Sequence, residues 1–435
     1  VHFRWPVKRS PWNNTKQHSN KTAAAETAGK VGFDILHHVA IACHAWYEDD
    51  FGGSFRLASE FAEFLASRGH QVTFVCCAPQ GKRALPQQEV VRNVTIRRYR
   101  PPGEWMPQIA RLRYHIRQTG RCIGEAAVSR TIDVLSGHTP LQFLGAARQL
   151  RHAAFKTFLV HSPLDDELLA NLCGRAGWIQ RMKARFARWV DGRCVTLADR
   201  VQTVSHYTLE SMIAKHGAAV GAKGVVAPGW VDANRFRPVP DRTGVRARLG
   251  EPWNTDLPIF FTLRRHESRM GLDTLIDAVD RVVRRAHPLR VLIGGDGSLR
   301  SSLEKRVREL HLEKTVKFLG RLPEEQIPLC YAAADCFVLP TRALECFGLI
   351  VLESFAAGTP VIAARVAAIP ELAQIQGDEW LFEPGNPAEL ADRMEAYLTG
   401  KLARSANVRA FAERFDRPGI LEKWSEILFS GARVQ

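Results

Sequence analysis

The residues with the most evident chemistry are Glu345 and Glu353, which bracket Phe347, Gly348 and Leu349 in the run ECFGLIVLE. Phe347 to Ala357 carry helical apolar spacing, and Gly358 and Pro360 are helix-exit residues. The free N–H groups in the first turn of such a helix, with its dipole, favour a phosphate, and Gly348 lets a ligand approach the backbone closely. Glu353 lies roughly 7–9 Å further along the axis, about one ribose away from a diphosphate, at 1.5 Å rise per residue. A polyhydroxylated ligand with a phosphate in its middle suits this order, and a nucleotide-sugar has that shape. The helix start would take the phosphate, and each carboxylate would accept hydrogen bonds from hydroxyls on one side. Two glutamates at arbitrary spacing are usually solvated surface residues. Glu353 departs from that rule because it interrupts an almost wholly apolar helix, where a bare charge is costly.

The elements that hold these residues are those of a parallel sheet. Cys336–Leu339 is a short apolar strand ended by Pro340, and Val361–Ala364 is the next strand. Ligands in such units bind outside the carboxyl ends of the strands, here at Thr341–Gly348. Upstream, Ile259–Leu263 reads as a strand, and Arg265 and Arg269 lie between it and a helix. Two permanent charges there suit bidentate binding of a diphosphate and of the charge that develops as it leaves. Val291–Gly297 is a strand entering a Gly-rich turn that contains Gly295, and Val316–Leu322 is another strand.

The first half opens with a strand over Asp34–Ile41, a turn through Gly52 and Gly53, a helix with apolar Phe55 to Leu65, and a strand over Gln71–Cys77. A Gly pair at the helix entrance lets backbone approach a ligand, but it is not the G-x-G-x-x-G fingerprint of a nicotinamide site. Strands over Ile132–Gly137 and Thr157–Val160 lead to His138 and His161, at carboxyl ends and so at a cleft. A lone histidine there is more often a hydrogen-bonded structural residue than a catalytic one. Arg200–Val204 and Gly224–Trp230 complete this half, and the Gly and prolines of Pro228–Pro238 mark a boundary where a hinge could work.

Composition agrees with two globular domains: 435 residues, 46% hydrophobic and 24% charged, with no apolar run approaching a membrane span. Residues 1–30 read as a flexible basic tail without the apolar core of a signal peptide. The nine cysteines lack metal or disulfide spacing. A reducing, cytoplasmic setting is therefore expected, with the sequons at Asn13, Asn20 and Asn93 unused. The charge is uneven. Residues 1–240 hold 33 Lys and Arg against 18 Asp and Glu, whereas residues 241–435 hold 27 against 27. A basic first half suggests an anionic surface or substrate. Nucleic acid lacks any supporting signature, so anionic lipid on the inner face of a bacterial membrane, or a lipid-pyrophosphate acceptor, is the expected partner. Two amphipathic stretches, Trp105–Cys122 and Trp178–Arg193, could lie on such a membrane or pack on the sheet and show their arginines to water.

At Glu345, Glu353, the CFGL core between them, the following AAGTPVIA and the IPEL tail, the sequence resembles the retaining glycosyltransferases of family 4, which have the GT-B fold. The resemblance runs from about Phe33 to the C-terminus. It implies an α/β protein of two Rossmann-like parallel-sheet domains facing across a cleft. Residues 31–232 would form the acceptor domain and 233–405 the nucleotide-sugar domain, with 406–435 crossing back. The reaction implied is hexosyl transfer from a UDP- or GDP-sugar to a hydroxyl of a glycan or lipid-linked acceptor, with retention. No carboxylate pair shows an evident nucleophile role, so double displacement finds no support. By resemblance the acceptor attacks the face that the diphosphate vacates, and a phosphate oxygen takes its proton. Arg265, Arg269, Phe347, Gly348 and Leu349 would serve the diphosphate, Glu345 the sugar hydroxyls and Glu353 the ribose. His161, opening HSPLDDE, would sit near the reacting carbon, Gly52 and Gly53 would border the donor phosphate, and Gly295 and Leu322 would hold the base. No metal or other cofactor is required on this reading, because fixed positive charge replaces it. The family pattern of Arg, four residues, Lys, Gly is broken here: Met270 stands where the lysine is usual, and Arg269 is expected to supply the second charge. A nucleotide-sugar epimerase or a non-catalytic binding protein of the same fold are the alternatives.

Overall fold

The computed structural model describes residues 36–50, 52–81, 85–150, 154–170, 172, 177–403 and 407–431. The expected basic tail over residues 1–30 lies outside them. Two sheets form the frame. The first holds β1 (His38–Ala42), β2 (Gln71–Cys77), β3 (Gln88–Val91), β4 (Val94–Tyr99), β5 (Val134–Gly137), β6 (Phe155–Val160), β7 (Arg200–Thr203) and β8 (Gly224–Val226). Their order is β3-β4-β2-β1-β5-β6-β7-β8, parallel except for β3. The second holds β9 (Ile259–Leu263), β10 (Arg290–Gly294), β11 (Val316–Gly320), β12 (Cys336–Leu339), β13 (Val361–Ala364) and β14 (Leu381–Phe382). Its order is β11-β10-β9-β12-β13-β14, all parallel. In each sheet the order reverses direction beside the first strand, β1 or β9, which is where an open α/β sheet leaves a crevice at its carboxyl edge.

Apolar runs became central strands because both faces of each sheet are covered. One core lies on the outer face of each sheet, built around Phe143 and Phe158 in the first and Phe260 and Trp380 in the second. The third and largest core is common to both lobes. It joins Trp46 and Phe61 of the first to Phe261, Tyr331 and Phe347 of the second through Trp230 and Phe236 of the connecting segment.

The C-terminal helix, Arg417–Phe429, locks that shared core. Its approach is fixed by a bridge between Val231 and Asp416, with Val231 N–H donating to the Phe415 carbonyl and Arg417 N–H donating to the Val231 carbonyl. Trp424 then inserts against the first lobe. Its ring meets Phe61 at 5.4 Å and Trp230 at 4.9 Å, both edge-on, and its indole N–H donates to the Pro228 carbonyl at 2.9 Å. No described helix is long and apolar enough to cross a membrane.

Truncating Trp424 should loosen the C-terminal helix from the first lobe and the connecting segment, because its ring touches both. Trp424→Ala is expected to lower stability by roughly 3–5 kcal/mol, the range for emptying a large buried aromatic site. Chemical denaturation followed by fluorescence and circular dichroism measures it; a loss under about 1 kcal/mol would show that this ring does not anchor the helix.

Candidate active site

The loop Thr341–Gly348 leaves the carboxyl end of β12 and enters the helix Leu349–Ala356. The expected helix start at Phe347 is displaced by two residues, for a physical reason. Gly348 is the N-cap residue at φ 96°, left-handed backbone that glycine tolerates, and this bends Phe347 out of the helix. Phe347 is buried, 6.0 Å from the Phe415 ring, so its side chain belongs to the shared core rather than to a ligand surface. Leu349 meets the first lobe. An added Cβ on Gly53 would rest 3.5 Å from Leu349, and one on Gly229 would crowd both Leu349 and Phe347. The first-turn N–H groups of the Leu349 helix therefore open where the two lobes face each other. Gly52, by contrast, has an ordinary extended backbone at φ −178°, so no left-handed turn demands glycine there.

Three arginines lie beside that loop, Arg264, Arg265 and Arg269, and Arg264, which was not among the expected site residues, engages Glu345. Arg264 Nη2 donates to Glu345 Oε2 at 2.7 Å and to Thr341 Oγ1 at 2.9 Å, and lies 3.0 Å from Met270 Sδ. Arg264 is half-buried there, and the next residue, Arg265, is exposed. Met270 is buried against Arg264, where the family pattern has a lysine. Arg269 Nη1 donates to the Leu344 carbonyl at 2.9 Å, bracing the loop at a residue with φ 52°. Burial lowers the pKa of Arg269, while Glu345 and Glu167 oppose that and Arg264 and Arg265 add to it. Glu167 belongs to the first lobe, so Arg269 sits in the field of both. Gly295, at φ 103°, lets the turn after β10 close onto the Arg264 carbonyl, and Leu322 packs near Gly294 at the same edge.

Glu353 is gripped from both lobes. The Tyr331 hydroxyl donates to its Oε2 at 3.0 Å, and Arg56 Nη1, from the helix Gly53–Ser67, lies 3.6 Å from its Oε1. Burial pushes the Glu353 carboxyl above its ordinary value, and Arg56 and Tyr331 pull it back. Arg56 is itself held by Glu60 at 2.8 Å, and Glu60 Oε2 accepts from Trp230 Nε1 at 2.6 Å. A second carboxylate crosses the gap. Glu371, of the IPEL tail, accepts from the backbone N–H groups of His206 and Tyr207 at 3.1 and 2.6 Å, capping a first-lobe helix. Arg56, Tyr331 and Arg264 were not among the expected site residues. Each is defined by a partner far along the chain, so no local pattern marks it.

His161 does not stand alone. Its Nε2 lies 3.2 Å from His138 Nδ1, and His138 Nε2 lies 3.1 Å from Ser136 Oγ. Burial drives the His161 pKa down to about 3, and burial followed by the neighbouring His161 drives His138 well below its ordinary value. Both rings are therefore neutral near pH 7, one donating and the other accepting along the chain from Ser136. Together the site offers cationic guanidinium groups and helix N–H groups for a diphosphate, carboxylates for hydroxyls, and a neutral imidazole from the opposite lobe. Among the described residues no group of three or more His, Cys, Asp or Glu is placed to hold a metal ion.

Residues 51–235 match the model described as Glycosyltransferase Family 4, and residues 247–414 match Glycosyl transferases group 1. Two mycobacterial proteins named GDP-mannose-dependent alpha-(1-6)-phosphatidylinositol monomannoside mannosyltransferase are similar. That of Mycolicibacterium smegmatis is 33% identical over 181 residues, 40% of this chain and 46% of its own length. That of Mycobacterium tuberculosis (strain CDC 1551 / Oshkosh) is 30% identical over 336 residues, 74% of this chain and 79% of its own. Among solved structures, sucrose-phosphate synthase from Thermosynechococcus elongatus superposes with TM-score 0.74 at 20% identity, covering 90% of this chain and 98% of that one. HepE of Anabaena, in complex with UDP and glucose, gives 0.70 at 20% identity, covering 91% and 100%. With a family model on each lobe and a relative of that identity over most of its length, the chain belongs to glycosyltransferase family 4 and has the GT-B fold.

Proposed function

We propose that this protein transfers a hexosyl group from a UDP- or GDP-sugar to a hydroxyl of a glycan or lipid-linked acceptor, with retention of configuration, in bacterial cell-surface polysaccharide or glycolipid synthesis. It would work in the cytoplasm, with its basic first lobe against the inner face of the membrane. The observation that carries the reading is the pair Glu345 and Glu353, each met by an arginine, on either side of a helix start that opens between the lobes. The relatives named for GDP-mannose and phosphatidylinositol monomannoside, and the neighbour solved with UDP and glucose, support the donor and acceptor classes.

In the proposed reaction the diphosphate lies against the N–H groups of Leu349 and Ile350, with Arg264, Arg265 and Arg269 around it. These charges are fixed before the bond breaks, so they stabilise the leaving diphosphate without reorganising, and no metal is needed for that task. The acceptor hydroxyl attacks the face that the diphosphate vacates and gives its proton to a phosphate oxygen. Glu345, oriented by Arg264, accepts from sugar hydroxyls; Glu353 accepts from the ribose, taking its hydroxyls in place of Arg56. His161 is neutral, so it holds the sugar by hydrogen bonding rather than by proton transfer.

Three outcomes follow. Glu353→Ala is expected to weaken UDP or GDP binding about tenfold in isothermal titration, as loss of charged hydrogen bonds would; unchanged affinity would remove Glu353 from the nucleotide site. Arg264→Ala should lower kcat by about a hundredfold or more, comparable to losing one oxyanion donor, with the melting temperature retained. A variant as fast as the parent protein would end the role given to Arg264. For His161, a folded pKa of about 3 means no charge change between pH 5 and 8. His161→Asn should therefore depress kcat while leaving the shape of its pH profile intact, and disappearance of an acid limb in that variant would contradict a neutral role.

A further inference from the structure

We infer that the outer face of the helix Trp178–Leu197 is a docking surface for an anionic lipid bilayer, set beside the acceptor side of the cleft. The helix is apolar on two opposite faces. The inner face is small, with Ala184, Ala187, Val190, Cys194 and Val195 buried. The outer face is large: Trp178, Ile179, Met182, Phe186 and Trp189 are 76, 48, 58, 47 and 56% exposed. At 3.6 residues per turn these five fall within one arc of about 100°. The Phe186 and Trp189 rings stack on each other at 5.6 Å. The inner stripe already joins the helix to its lobe, so folding does not account for the outer one. A helix lying in a membrane interface requires both an apolar arc and a basic rim.

The rim is present. Arg185 borders the arc on one side and Lys183 on the other, with Arg181 and Arg193 nearby, all exposed. The only acid in the helix, Asp191, is buried and turned inward. This rim sits in the half of the chain that carries the whole positive excess, and cationic side chains at an interface select anionic lipid.

The surface also stands in the right place. Asp191 Oδ2 accepts from Leu164 N–H at 2.8 Å, which sets Asp191 level with the chain just past β6. Residues 178–190 therefore project about 20 Å beyond the carboxyl edge of the sheet at 1.5 Å per residue. The helix Gln108–Ser129 does the same. Its His115 Nδ1 meets the hydroxyl of Tyr99, the last residue of β4, at 3.0 Å, and its projecting tip carries Ile109 and, just before it, Trp105, 64 and 81% exposed. Between the projecting helix and the cleft lies the short helix Leu164–Ala170, pinned to it by Arg188 and Asp165 at 2.8 Å. That short helix follows His161 and carries Glu167, which lies in the field of Arg269. One prominence thus turns an aromatic, basic face outward and the acceptor side inward. A lipid-anchored acceptor could reach the cleft from the bilayer plane. This placement rests on the glycosyl-transfer reading, whereas the docking itself does not depend on turnover.

Flotation of the full chain with vesicles of equal phosphatidylglycerol and phosphatidylcholine, and with pure phosphatidylcholine, tests it. The parent protein is expected to bind the anionic vesicles at least tenfold more tightly, and less so in high salt. W178S/F186S/W189S and R181Q/K183Q/R185Q should each lose at least tenfold, with unchanged melting temperature and UDP or GDP binding. Equal binding to both vesicle types, or serine variants that float like the parent, would overturn the inference. So would a concentration-dependent dimer, abolished by the serine substitutions, in a protein that binds no vesicles. Nucleotide titration separates the two readings. For the parent protein, absence of flotation with intact nucleotide binding sinks the docking face alone, and flotation without nucleotide binding sinks the glycosyl-transfer reading alone.

Discussion

A carboxylate that leaves water must be met by donors, and Glu353 is met by one from each lobe. Placed inside an apolar helix, its charge is costly unless paired, and that cost is lowered only when Arg56 is close and the Tyr331 hydroxyl points at it. The gap between the lobes is therefore part of the solvation of Glu353. Arg56 is in turn steadied by Glu60, and Glu60 by the indole of Trp230 in the connecting segment. A run of charge-assisted contacts passes from linker to first lobe to second lobe, so the separation of the lobes and the ionisation of one glutamate are set together.

The shared core imposes a matching constraint from the apolar side. Phe347 lies under the loop that carries Glu345, and its ring reaches Phe415 and the backbone at Gly229. The loop therefore cannot move independently of the linker or of the segment leading into the last helix. Gly348 supplies the change of direction by which the same few residues bury Phe347 while aiming N–H groups outward. Arg269 braces the loop from the other side, on Leu344. Its positive charge stays inside the cluster of Arg264 and Arg265, tolerable because Glu345 lies among them.

Much of this was legible in the sequence wherever burial on both faces wrote an uninterrupted apolar run. Gln71–Cys77, Ile259–Leu263, Cys336–Leu339 and Val361–Ala364 are strands with the bounds that their composition suggests. What escaped depends on partners far along the chain. The hairpin β3–β4 turns at Arg92 and Asn93, both with positive φ, and its second strand carries Arg98 into the interior. That arginine is ion-paired with Asp49 at 2.6 Å and Glu89 at 2.5 Å, and nothing local in its sequence announces either. Arg264, one residue past the end of β9, meets its carboxylate partner Glu345 81 residues further along the chain, and nothing local announces that contact.

The helix Trp178–Leu197 shows a different limit. Its periodicity announces an amphipathic helix but not which apolar side faces inward, since it has two. Steric fit decides: the short helix Leu164–Ala170 and the neighbouring helix Pro140–Gln149 leave room for alanine, valine and cysteine, not for tryptophan. The large residues are consequently turned out, and the arginine pairing with Asp165 settles the rotation. Close packing against the site and exposure of an aromatic arc are thus one geometric fact. Reversing the helix to hide its rings would break the contacts of Asp191 with Leu164 and of Arg188 with Asp165, and so would release the segment that follows His161.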